Sequence, residues 1–252
     1  MKTNWVPVVS GMVSAMCFVL SGCGVTYQTP GAGADIPELF READEDIQAI
    51  VKLEPASSMP AHLILVRLQD GRYQSYSSHD SYVYRGNYAI STVRDIEDDK
   101  DFDRIRTFPD VAQVGTINRL LLPRVIASEK DLRISAAKMR ADMLFLYTVD
   151  TKFWSDDMAT PLSVVTLGLS PNVNLHMVST LSGVLYDVRT GFVYGAVEAT
   201  EKQKQLTSWW TNEEAADQAR LRVERIAFEK MLDEFEKLWI GVAAERRVVT
   251  AR

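Results

Sequence analysis

Three histidines, two cysteines and a few clustered acids are the side chains of this 252-residue chain whose types invite chemistry. His62, His79 and His176 stand far apart, and none falls into a metal-binding spacing such as H-E-x-x-H. Ser77-Ser78-His79-Asp80-Ser81 sets hydroxyls, an imidazole and a carboxylate side by side. A catalytic triad assembles through space, however, and no G-x-S-x-G elbow accompanies this stretch. Asp99, Asp101 and Asp103 have the spacing of a calcium loop, with Asp110 at its twelfth position. Arg104 stands where that loop needs glycine, and Phe102, Ile105 and Phe108 have the character of packing residues. These acids therefore read as a solvated helix face. Trp209-Trp210 reads as a loop packed on a sheet, and Arg133, Arg140 and Arg189 as surface charges. No catalytic set, metal set or cofactor is expected. The reading is a non-enzyme, with a hydrolase built on the Ser77–Ser81 loop or an acidic pair as the alternative. Cys23 then remains, as a disulfide partner, a reactive thiol, a metal ligand or an attachment point.

Its context narrows the choice. Lys2 is the only charge among the first 22 residues, and Trp5 to Leu20 is apolar or small throughout. The run is shorter than the roughly 20 residues a membrane-spanning helix needs. Together with small residues at its end it describes a secretory signal. Leu20-Ser21-Gly22-Cys23 resembles the lipobox of bacterial lipoproteins, an aliphatic residue and two small ones before the modified cysteine. Cys17 does not fit, because Met16 precedes it where a small residue is required. The resemblance implies recognition by the signal peptidase through Leu20, Ser21 and Gly22, cleavage before Cys23, and acylation of Cys23, with palmitate-type chains holding the protein on a membrane. Each buried CH₂ contributes about 0.8 kcal/mol, so two or more chains make a lasting anchor. Gly24, rather than Asp, follows the cysteine. By resemblance to Gram-negative lipoproteins, this implies an outer-membrane anchor with the protein facing the periplasm.

Removing Lys2 with the signal, from 28 basic residues, leaves 34 acidic side chains in excess by seven. Such a surface has no general attraction for nucleic acid. Hydrophobic residues make up 46%, enough for a core. With Cys17 removed and Cys23 acylated, packing alone has to hold the fold.

Period and punctuation divide the chain into a signal (1–22), a flexible tether (23–35), an N-terminal helical segment (36–60), a globular domain (61–240) and a frayed tail (241–252). The N-terminal helix should bury Leu39, Phe40, Ala43, Ile47, Ile50 and Val51. Gly31 and Gly33 lack the preceding strand that a dinucleotide fingerprint requires. Residues 61–69 form a strand apolar enough for burial on both faces. The Tyr- and Ser-rich residues 72–88 have no clear form. Strands are expected near 88–96, 111–123, 142–154, 162–169 and 174–188, the last turning at Arg189-Thr190-Gly191 into an antiparallel partner. Helices are expected near 98–108, after Ser128 as N-cap, and over 212–239. The helix after Ser128 should bury Leu132, Ala136, Met139 and Ala137. The last should bury Ala216, Ala219, Val223, Ile226, Ala227, Phe235 and Leu238. The fold class is α/β in the α+β sense: a mixed, largely antiparallel sheet flanked by helices.

Residues 131–151 resemble the Ala-rich helix and core strand of the CsgG-like lipoprotein fold, joined through Ala141-Asp142. Residues 181–200 resemble its hairpin, with an Asp-x-x-Thr-Gly turn at Asp187, Thr190 and Gly191. Curli-export lipoproteins, TolB-type N-terminal domains and LpoB-type activators of peptidoglycan synthases share that architecture. The resemblance covers residues 61–240 and implies a domain that docks an envelope protein, an assembly or cell-wall factor. A homo-oligomeric export component is the second implication. A pore is not expected, because no pair of amphipathic strands of sufficient length is evident.

Overall fold

The computed structural model describes residue 33 and residues 47–73, 82–92, 94–157, 173–207 and 213–250. Its elements, in chain order, are α1 (Ile47–Ile50), β1 (Ala61–Asp70), β2 (Tyr82–Arg85), β3 (Tyr88–Ser91), α2 (Asp99–Arg106), β4 (Val111–Thr116), a 3₁₀ turn (Arg119–Leu121), α3 (Glu129–Lys138), β5 (Met143–Asp157), β6 (Val173–Asp187), β7 (Val193–Thr207) and α4 (Glu213–Thr250). Local chemistry sets their ends. Asp98 caps α2, accepting from the Lys100 amide at 3.3 Å while the Asp101 carboxylate reaches back to the Asp98 amide at 2.6 Å. Ser128 holds the extended N-cap position of α3, and Asp131 accepts from the Ala127 and Ser128 amides.

The strands form one mixed sheet in the order β2-β3-β1-β5-β6-β7, with β4 beside β1. β1 shares one edge between β4, parallel along its first half, and β3, antiparallel along its last residues. Its other edge pairs with β5 in parallel, and β5-β6-β7 continue as an antiparallel meander. The parallel pairs require crossovers, and α2 and α3 lie in them.

The centre of the sheet is buried on both faces, which is why β1 carries a continuous apolar run. On one side Leu63, Leu65, Phe145 and Leu181 pack against Phe228 and Phe235 of α4. The Phe145 and Phe235 rings stack with centroids 4.1 Å apart, and Trp239 Nε1 donates to the Pro109 carbonyl at 2.7 Å. On the other side Ile64, Val66 and Leu146 pack against Leu132 and Ala136 of α3. Gly183 in β6 makes room for Phe145: an added Cβ would lie 2.4 Å from its Cζ. Gly183→Ala is therefore expected to cost about 1–3 kcal/mol by overpacking, read as a lower urea midpoint at unchanged m-value.

Several expectations are corrected. Helix α1 ends at Ile50, and residues 53–58 run without helix or strand. Ile47, Ile50 and Val51 are exposed, so the described end of that segment does not bury the expected face. Leu39, Phe40 and Ala43 lie outside the described residues. The strand near 88–96 stops at Ser91, and Ile96 enters the core from a bend. The strand expected over 111–123 stops at Thr116, where Asn118 caps the 3₁₀ turn. On α3, Ser135 faces inward and Ala137 outward, because the Ser135 hydroxyl finds the Leu121 and Asp131 carbonyls at 3.0 Å. The expected frayed tail is instead the end of α4, which runs to Thr250 with Val242 and Ala243 buried. Arg246 ties it down by donating to the Ser57 carbonyl at 2.9 Å. Ile226 is 41% exposed, lying on the flank of the stripe that faces the sheet. The strand expected at 162–169 lies outside the described residues.

Candidate functional site

Among the described residues, those selected from the sequence separate in space. His62 is the second residue of β1, its Nδ1 3.3 Å from the Arg140 carbonyl, whereas His176 lies near the start of β6. His79, the Ser77–Ser81 loop, Trp209-Trp210 and Leu20-Ser21-Gly22-Cys23 lie outside the described residues. The four acids of calcium-loop spacing go to four different arginines: Asp99 to Arg94, Asp101 to Arg225, Asp103 to Arg106 and Asp110 to Arg247. Asp101 is buried, not solvated, because Arg225 and the helix cap both claim its carboxylate. Among the described residues no group of three or more His, Cys, Asp or Glu could hold a metal ion. Arg133 pairs with Glu129 at 3.0 Å and Arg189 with Asp142 at 3.4 Å. Arg140 follows α3 at φ 58°, in the left-handed region where a helix commonly ends.

The hairpin turn is a hub as well as a turn. Asp187 is fully buried, and its carboxylate accepts six hydrogen bonds. The Arg189 and Thr190 amides reach one oxygen and close the turn, leaving Gly191 at φ 79°. The other oxygen takes the Ala56 and Ser57 amides, the Ser57 hydroxyl and the Tyr194 hydroxyl. Burial alone would raise the Asp187 pKa, but these donors outweigh it and hold the group below its usual value. Burial is also the main reason the Tyr194 phenol is pushed up to about 12. Asp187 thus fastens the segment before β1 to the β6–β7 turn.

A concavity that combines several charges opens between the loop before α2 and the side of α4. It is a groove of about 610 Å³ lined by Thr92, Arg94, Asp95, Glu97, Asp98, Asp99 and Arg225, with Ile96 at its base. Arg225 spans it, donating to both oxygens of Asp101 and, at 2.8 Å, to the Ile96 carbonyl. The Asp101 bond is the largest cause of its raised pKa. Beneath the groove the Arg67 side chain, 2% exposed, joins Asp95 and Glu97 and donates to Ser91 Oγ at 2.6 Å. Tyr147 donates to the same Glu97 oxygen, and burial raises its phenol well above the usual range. The second oxygens of Asp95 and Glu97 are buried without a hydrogen-bond donor among the described residues.

A second guanidinium lies deeper. Arg220 of α4 is fully buried between Asp217, at 2.9 Å, and Glu224, at 2.5 Å, and reaches the Tyr73 hydroxyl at 3.3 Å. Thr151 Oγ1 donates to Glu224 at 2.7 Å and lies 3.1 Å from Ser179 Oγ. Burial works against the charge on Arg220, and its carboxylate neighbours overcome that and raise its pKa. Burial also raises the Glu224 pKa, against the pull of Arg220 and Thr151. Two buried arginines, Arg67 and Arg220, thus face four carboxylates, Asp95, Glu97, Asp217 and Glu224.

Sequence reading did not single out this set. Two signals were available: an arginine directly after the apolar run Leu63–Val66 of β1, and Asp217, Arg220 and Glu224 at spacings that share the helix face of Ala216, Ala219 and Val223. Chemically, the groove presents carboxylates and fixed guanidiniums, which suit charged or amide-bearing groups of a partner. No protein-family profile matches the chain, and no curated protein matches it in sequence.

Proposed function

We propose that this protein is a lipid-anchored lipoprotein of the cell envelope whose globular domain docks a protein partner, an assembly or cell-wall factor, without catalysing a reaction. The observation that carries the reading is Leu20-Ser21-Gly22-Cys23 at the end of an apolar signal-like run. Acylation there places the domain beside a membrane, on the periplasmic side of an outer membrane if Gly24 sorts it as in Gram-negative lipoproteins. The groove beside α4 supports docking: its lining is charged and held by ion pairs, so it offers a partner fixed acceptors and donors. The resemblance of residues 131–151 and 181–200 to the CsgG-like fold points the same way.

Cys23→Ser is expected to abolish acylation and cleavage, so that the chain keeps its apolar signal and moves from the outer-membrane to the inner-membrane fraction. Mass spectrometry of the N-terminus and fractionation check this, and an unacylated wild-type chain that begins at Met1 refutes the anchor. Docking is tested by a photo-crosslinking residue at Thr92. A single stoichiometric partner, lost on Asp98→Lys with Asp99→Lys, supports it. A partner captured equally by the charge-reversed groove removes the groove from the proposal.

A further inference from the structure

The outer edge of β7 carries a charge pattern that matches itself. β7 ends the sheet order, so no strand among the described residues pairs with its outer edge. Its pairing with β6 runs unbroken from Gly195 to Thr207, the one register shift lying nearer the turn. α4 packs on the same strand, where Lys230 bonds Glu201. The opposite face presents Ala196, Glu198, Thr200, Lys202 and Lys204 in alternation, all exposed. Glu198 is held upright by Ser182 Oγ at 2.9 Å, and Thr200 by Thr180 at 2.9 Å. Lys202 and Lys204 have no acidic partner among the described residues.

We propose that this edge pairs, antiparallel, with the same edge of a second copy, with Thr200 opposite Thr200 on a two-fold axis. An edge strand holds a row of unused amides and carbonyls, and a two-fold contact must be self-complementary. In this register Glu198 faces Lys202 of the second copy, and Lys202 faces its Glu198. No like charges meet. Centring the pair on Glu198, Glu201 or Lys202 sets that residue against its own mate, and an in-register parallel pairing does so for every charge. Centring on Ala199 offers no ion pair. The continuous stretch from Ala196 to Lys204 is about 30 Å long. This inference concerns a second copy of the chain and is independent of lipidation and of the groove.

The test uses the full chain in detergent, with Cys17→Ser and Cys23→Ser so that an introduced cysteine is the only thiol. Sedimentation velocity is expected to show concentration-dependent dimers, and Thr200→Cys to form a disulfide between copies. Ala196→Cys is expected not to, since the register holds it about 27 Å from its mate. Lys202→Glu should weaken association about tenfold or more, and adding Glu198→Lys should restore it. A chain that sediments as a monomer at all concentrations overturns the proposal. So does equal cross-linking at both positions, or a dimer indifferent to Lys202→Glu.

Discussion

Arg220→Leu is expected to destabilise the protein by about 3–5 kcal/mol. Leucine approximates the aliphatic part of the side chain but leaves Asp217 and Glu224 buried without their cation. Much of the effect is the stranded charge and not the lost pair, so adding Glu224→Leu should recover a large share of the loss. The sign of the pH dependence follows from Glu224. Its pKa in the folded protein is raised, so the native state holds a proton more readily than the unfolded chain. Its contribution is most favourable below the ordinary glutamate value of about 4.3 and is lost as pH rises through the higher native value. Without Arg220 to oppose burial, that slope steepens. Urea unfolding of the variant should show a larger deficit relative to wild type at pH 8 than at pH 5. A deficit that is constant with pH would mean that Arg220 acts through its packing alone.

Asp187→Ala is expected to cost a comparable amount, about 3–5 kcal/mol, for the opposite electrostatic reason. Here the anion is well satisfied, and removing it orphans the buried Ser57 amide and the part-buried amides of Ala56, Arg189 and Thr190 on two segments. Because the folded pKa is lowered, the carboxylate's contribution is present above the unfolded value, near 3.8, and is lost as pH falls through the lower native one. The gap between wild type and Asp187→Ala should therefore narrow between pH 5 and pH 2. Hydrogen exchange should locate the damage: residues 53–58 and the 188–192 turn should lose protection together. If only the turn loosens, the link between Asp187 and the segment before β1 contributes little.

How much of this was legible in the chain differs by element. The periods of 61–69, 142–154 and 174–188, and the Thr190-Gly191 turn, were enough to place β1, β5 and the β6–β7 hairpin, because side-chain alternation and turn stereochemistry are local properties. The mixed, largely antiparallel sheet followed from them. Helix α4 was visible in its stripe, but its end was not. Nothing local marks 241–250 as ordered; Val242 and Ala243 become buried only because β1, Pro109 and the Ser57 segment lie where the helix passes. Asp187 was read as a turn residue, and the turn is real. Its bonds to Ala56 and Ser57 cross about 130 positions of chain, which no motif encodes.

What the sequence by itself determined is the central part of β1, β5, the β6–β7 hairpin and α4 and, through Leu20-Ser21-Gly22-Cys23, the expectation of a lipid anchor. What only the tertiary structure decided is where the charges go. Arg67 and Arg220 carry no mark of their partners in the sequence; once β1 and α4 are packed, both lie inside beside four carboxylates. The reason is physical: hydrophobic period is fixed by neighbours three or four residues away, whereas the partner of a buried charge is fixed by whichever distant segment the fold brings within hydrogen-bond reach.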